Sequence, residues 1–215
     1  MKPYIYASRS GIHILDLEKT KQALAQTVKF VKDLTSKGGV VLFIGTKRQG
    51  KEIVKKAAES CGMPYVNVRW LGGTFTNSKT IQRTIRKLEK LESQKASGEL
   101  ESHYTKKERL MVEREIEKMK KLFEGIQSLK RLPEAVFITD VKHDMIAVKE
   151  AKKSKVKIIG LVDTNCSPEG IDYPIPCNDD ATKAIELMCA VIAEAVNEGR
   201  QAAPVVKEAD VVPTK

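Results

Sequence analysis

The chain has 215 residues, 31% of them charged, and a formal net charge of +10. That length suits one domain with an appendage, and the basic excess points to a polyanionic partner, nucleic acid first. No apolar run approaches the roughly 18 residues of a membrane span, no secretory leader or transit peptide opens the chain, and the four scattered cysteines read as reduced cytosolic thiols.

In chain order, a helix is expected from about Asp16 to the Gly38–Gly39 pair, because Leu24, Val28, Val31 and Leu34 recur at three and four. "VVLFI" (Val40 to Ile44) reads as a buried strand and "GKEIVKKAAESCGM" as a helix closed by Gly62. "PYVNV" is a second, short strand. Further on, "EAVFIT", "VKIIGLV" and "YPIPC" read as strands, with "DMIAVKEAKKSK" and "DATKAIELMCAVIAEAVNEG" as helices among and after them. Strand alternating with helix predicts an α/β fold, a parallel sheet with helices on both faces. Five strands suit a doubly wound, flavodoxin-like sheet.

One segment interrupts this alternation. From Ser78 to Arg131 there is no strand signal, only charge-rich helix. Val112, Ile116, Met119, Phe123 and Ile126 form one a/d seam, and Ile81, Ile85, Leu88 and Leu91 form a second. The polar stretch between them contains Gly98, so the segment reads as an inserted α-helical coiled-coil hairpin. The domain plan is therefore a discontinuous sheet domain over 1–77 and 132–200, a hairpin over 78–131, and a mobile tail over 201–215. The hairpin holds 15 lysines and arginines against 9 acids. Lys79, Arg83, Arg86 and Lys90 are spaced four, three, four and share a face of the first arm, with Lys87 beside them. A basic helix face of that kind fits nucleic acid.

Gly45, four residues and Gly50-Lys51 match the first seven positions of a phosphate-binding loop, set between strand and helix. Asp140 and Asp163 follow strands, where a magnesium-binding carboxylate would sit, or else cap the helices that come next. Glu52, however, stands where Ser or Thr should hold the magnesium, and brings a negative charge near the phosphates. Lys47 and Arg48 are bulky for a tight phosphate cradle. His13, His103 and His143 lie too far apart in sequence for a zinc cluster, and no nucleophile–base pair can be defended from spacing.

The runs "MKPYIY", "GIHILDLEKT", "FIGTKRQ", "VRWLGGTFTN", "LPEAVFITD" and "LVDTNCSPEGIDYPIPCNDDATKAI" appear in order. Together they closely resemble the bacterial-type small-subunit ribosomal protein two (uS2) family, over about Met1 to Arg200. The resemblance implies a flavodoxin-like sheet with a coiled-coil insertion, no catalysis, no cofactor and no nucleotide. It implies a structural protein of the small ribosomal subunit that binds ribosomal RNA, touches neighbouring ribosomal proteins and helps dock ribosomal protein one. The location would be the cytoplasm, or a plastid stroma. Gly45, Thr46, Lys47 and Arg48 match the family's part of the loop, whereas Gly50-Lys51 is a coincidence on that view. Family members usually carry a segment before the "MKPYIY" stretch, with a "GVHFGH"-like run, and contacts of that segment are not carried over.

The expected RNA contacts are then Lys47, Arg48 and Arg69 at the loop ends of the sheet, and Lys79, Arg83, Arg86, Lys87 and Lys90 on the first arm. Lys106, Lys107 and Arg109 on the second arm are further candidates. Trp70 is expected to pack between sheet and hairpin. A protein with only 5% aromatic residues would hold structured RNA by shape and backbone contact.

Overall fold

The computed structural model describes residues 1–100 and 104–202. The first elements were not anticipated: β1 (Ile5–Arg9) and β2 (Ile12–Leu15) form an antiparallel hairpin. Its two-residue turn, Ser10–Gly11, has φ of 52° and 81°. Paired positive φ values give the turn the twist that a tight hairpin needs.

The rest follows the expected alternation. α1 (Leu17–Thr35) starts at Asp16, whose carboxylate accepts from the N–H groups of Glu18 (3.1 Å) and Lys19 (3.4 Å). Then come β3 (Val41–Ile44), α2 (Lys51–Ser60) and β4 (Tyr65–Val66). The insertion consists of α3 (Ser78–Ala96), α4 (Lys106–Phe123) and a 3-10 turn over Glu124–Ile126. The chain closes with β5 (Ala135–Ile138), α5 (Met145–Lys153), β6 (Lys157–Val162), β7 (Tyr173–Pro176) and α6 (Thr182–Gln201). α6 runs one residue into the expected tail, and residues 203–215 lie outside the described residues.

All five strands of the main sheet are parallel, in the order β4-β3-β5-β6-β7. Numbered within the sheet this is 2-1-3-4-5, the doubly wound order, with its switch point between β3 and β5. Strand period two sorts the core into two layers. Val41, Phe43, Phe137, Ile159 and Leu161 pack against α1, α2 and α6. Leu42, Ile44, Val136, Ile138 and Ile158 pack against α5 and the base of the hairpin, including Trp70, Phe75 and Phe123. The large side chains at the sheet centre are fully buried, each contributing about 1.5–3 kcal/mol. The switch point at the strands' carboxyl ends and the hairpin on one face are the two places this frame leaves for function.

Candidate nucleic-acid interface

The hairpin is built as the seams suggested. Ile85 and Leu88 of α3 are buried against Ile116, Met119 and Phe123 of α4, with Ile81, Leu91 and Val112 packed beside them. At about 100° per residue, Lys79, Arg83, Arg86 and Lys90 fall within an arc of about 60° on the side opposite this seam. All four are exposed, and among the described residues none of them forms an ion pair. Holding like charges three and four apart is mildly unfavourable in the free protein. A polyanion laid along the arc would remove that repulsion.

Lys87 differs from its neighbours. Its ammonium bonds Glu115 of α4 at 2.6 Å. Lys95–Glu113 (3.2 Å) and Lys120–Glu92 (3.5 Å) also cross between the helices. These exposed pairs set register more than stability, at about 0–1 kcal/mol each. At the tip, Thr105 and Glu108 form a capping box that starts α4. Lys106 and Lys107 are exposed in its first turn and Arg109 is half-buried. Cations gain nothing from the helix dipole at that end.

The loop between β4 and α3 is organised by a residue that sequence reading missed. Glu150, buried on α5, accepts from the backbone N–H groups of Gly73 (2.6 Å), Phe75 (3.0 Å) and Thr76 (3.3 Å). The Thr76 hydroxyl (3.3 Å) and the Trp70 indole N–H (3.4 Å) add to these. Burial disfavours the Glu150 carboxylate, but these donors outweigh it and hold its pKa below the ordinary value. Trp70 packs edge-on to Phe75, centroids 4.9 Å apart, within the core beneath the hairpin. The indole is structural, and the neighbouring Arg69 is exposed. An acid among buried Ala147, Val148 and Ala151 was the available signal for Glu150.

At the switch point the structure gives Lys47 a task of its own. Its ammonium bonds Asp140 (2.9 Å), Asp179 (2.9 Å) and Asp180 (2.7 Å). The Asp140 and Asp179 side chains are only 7% and 3% exposed. Burial works against the Lys47 charge, but the hydrogen bonds to Asp180, Asp140 and Asp179 prevail and raise its pKa. For Asp140, burial is likewise outweighed by Lys47 and by the His143 N–H (2.8 Å), and its pKa falls. Asp179 is raised by burial and by the charge of Asp140, which its bond to Lys47 does not overcome. Asp144 ties the adjacent loop, accepting from the Thr46 hydroxyl at 2.7 Å.

This arrangement excludes a phosphate cradle. Where a phosphate would need amines, the crevice gathers carboxylates. Asp163, Asp179 and Asp180 bring carboxylate oxygens within 4.8 Å of one another, the spacing that a bridging cation uses. The Lys47 ammonium already bonds two of them, so the protein supplies its own counter-charge. Gly45 is explained by packing: a Cβ there would lie 2.5 Å from the Val54 side chain and 2.7 Å from the Thr139 hydroxyl. Asp140 caps the turn before α5 and Asp163 bonds the next N–H, of Thr164 (2.6 Å). Of the loop cations, Arg48 points outward and Lys47 inward. The "CNDDAT" run carried the only sequence hint of Asp179 and Asp180.

A family model described as "Ribosomal protein S2" matches residues 1–199. Curated relatives match over most of the chain. The "Small ribosomal subunit protein uS2" of a Nitratiruptor species is 47% identical over 201 residues, covering 94% of this chain and 75% of that protein. Its counterpart in Coprothermobacter proteolyticus is 46% identical over 202 residues, covering 94% and 75%. That of Campylobacter curvus is 47% identical over 200 residues, covering 93% and 76%.

Proposed function

The chain belongs to the ribosomal protein S2 family, a structural constituent of the small ribosomal subunit and not an enzyme, and we propose that α3 is the element that grips ribosomal RNA. The observation that carries this is the arc of Lys79, Arg83, Arg86 and Lys90, which faces away from the packing seam and has no acidic partner among the described residues. Arg48 and Arg69 extend the contact at the loop ends, and Lys106 and Lys107 extend it at the tip. Lys87 contributes less because Glu115 neutralises it, and Lys47 drops out because its charge is spent inside the fold.

Each amine that meets a phosphate releases a counterion and adds about 0.7–0.9 to the slope of log affinity against log salt. Recognition is then by shape and charge, and needs no stacked bases. The test is binding of the chain to small-subunit ribosomal RNA over a salt series, with Arg83→Glu/Arg86→Glu beside the parent. The double variant should bind more weakly and with a shallower slope. An unchanged affinity and slope in a folded variant would remove the arm from the interface.

The finer reading includes docking of ribosomal protein one and residence in the cytoplasm. Reconstituting small subunits with and without the chain, and measuring how much ribosomal protein one they retain, tests the docking. Equal retention would sink it.

A further inference from the structure

The junction of α5 and β6 carries a second concentration of positive charge, away from the arm. Lys149, Lys152, Lys153, Lys155 and Lys157 fall within nine residues. The one acid among them, Glu150, is buried and committed to the Gly73–Thr76 loop. Lys149, Lys152 and Lys153 lie three and four apart on α5, on one face. Asp172 neutralises Lys157 at 2.7 Å, and Lys152 donates to the Glu169 carbonyl at 3.3 Å. Lys149, Lys153 and Lys155 are exposed and form no ion pair among the described residues. The acids beside the patch are Asp172, already spent, and Glu169, at an exposed loop position.

Lysines in the last turn of a helix complement its dipole, which accounts for Lys152 and Lys153. Lys155 lies beyond the helix and needs another reason. It adopts φ 58°, the left-handed position of a complete Schellman ending. Val156 N–H bonds the Ala151 carbonyl (2.9 Å) and Lys155 N–H bonds the Lys152 carbonyl (3.2 Å). The same pattern ends α2 at Gly62 (φ 61°) and α1 at Gly38 (φ 74°). Glycine fills both of those positions without strain, whereas here the chain keeps a strained lysine. Its side chain, with Lys152 and Lys157, borders a groove of about 420 Å³ at the amino end of β6. The Lys47 crevice lies at the carboxyl ends of the strands, so the two places are separate.

We infer that this junction is a second RNA-contacting surface, with Lys149, Lys153 and Lys155 reaching backbone phosphates. The inference rests on the RNA-binding reading above. Between Lys149 and Lys157 no apolar side chain is exposed. Within that stretch there is neither an anchor for a protein partner nor a stacking platform for bases, only amines for a regular polyanion; the exposed Ile146 stands one turn earlier on α5.

Lys155→Gly separates this from a structural role, because it relieves strain and removes charge together. The variant should melt at the parent's temperature or above it, yet bind small-subunit ribosomal RNA about 2- to 5-fold more weakly, its salt slope falling by about 0.7–0.9. Lys149→Glu/Lys153→Glu should weaken binding further. Arg83→Glu/Arg86→Glu is measured in parallel. If only the arm variant loses affinity, the second surface is overturned and the RNA reading stands. If the parent shows no salt-dependent binding, the RNA reading itself falls.

Discussion

At the carboxyl end of the sheet, one lysine meets three carboxylates; along α3, four cations meet none among the described residues. The difference follows from solvent. Lys47 reaches into a crevice where two of its partners are almost fully buried, and a buried charge left unpaired is costly. The arm's cations stand in water, where an unpaired charge costs little and stays free to displace counterions from RNA. Counting basic residues cannot tell these uses apart. Burial and partners can, and they turn the contrast into measurements.

The largest effect should come from Lys47→Met. It strands Asp140 and Asp179 without their cation, and unfolding by urea should show a loss of about 3–5 kcal/mol. RNA affinity of the folded variant should match the parent's; a variant that stays stable but binds RNA poorly would break the contrast. The pH dependence has a definite sign. The Lys47 pKa is raised above the ordinary 10.5, so its contribution is complete below pH 10.5 and fades as pH rises through the folded-state value. The stability gap between parent and variant should therefore hold through neutral pH and close in strong alkali, and it should also narrow in acid as Asp140, whose pKa Lys47 lowers, takes up its proton.

Glu150→Gln should cost less, about 1–3 kcal/mol, because an amide accepts with one oxygen where the carboxylate uses two. Here the sign is reversed. A carboxylate whose pKa is lowered from 4.5 stabilises above that pH and loses the contribution as pH falls through its folded value. The gap between parent and Glu150→Gln should shrink on acidification, and a constant gap would mean that the charge is not what holds the loop. Reversing Arg83 and Arg86 should move stability by no more than about 0.5 kcal/mol, as exposed positions do. A large destabilisation would show that the arc serves the hairpin and not a partner. Smallest of all, a double-mutant cycle on Lys87 and Glu115 should give a coupling under about 1 kcal/mol that disappears in high salt.

The elements legible in the sequence are those written by short periods. Strands β3, β5 and β6 appear as apolar runs, and α1 and the hairpin seams as three–four spacings, because each reflects one face packed against one neighbour. The β1–β2 hairpin was missed although its Ser10–Gly11 turn lay between alternating residues. Seven exposed residues in a row, from Ser8 to Ile14, left no buried face to mark the alternation. The site divided the same way. The basic arc on α3 is local and was readable. Lys47 with Asp140 and Asp179, or Glu150 with Gly73, join positions 93, 132 and 77 residues apart. Only the closed sheet brings those together, so placing Lys47 at a loop end among the expected RNA contacts gave no sign of its three carboxylate partners.

The borders of the sheet have a consequence for a chain that must exist for a time without its subunit. An open strand border offers free N–H and C=O groups to any passing chain. On β7, Pro174 and Pro176 stand where N–H groups would face outward, and the Pro176 carbonyl accepts the Thr20 hydroxyl at 2.7 Å. On the other side β4 is two residues long, and the turn at Gly125 lies so close that a Cβ there would touch the Tyr65 carbonyl. Neither border of the five-stranded sheet is open to a further strand, so this sheet is guarded against edge-to-edge stacking while the free protein waits to be assembled.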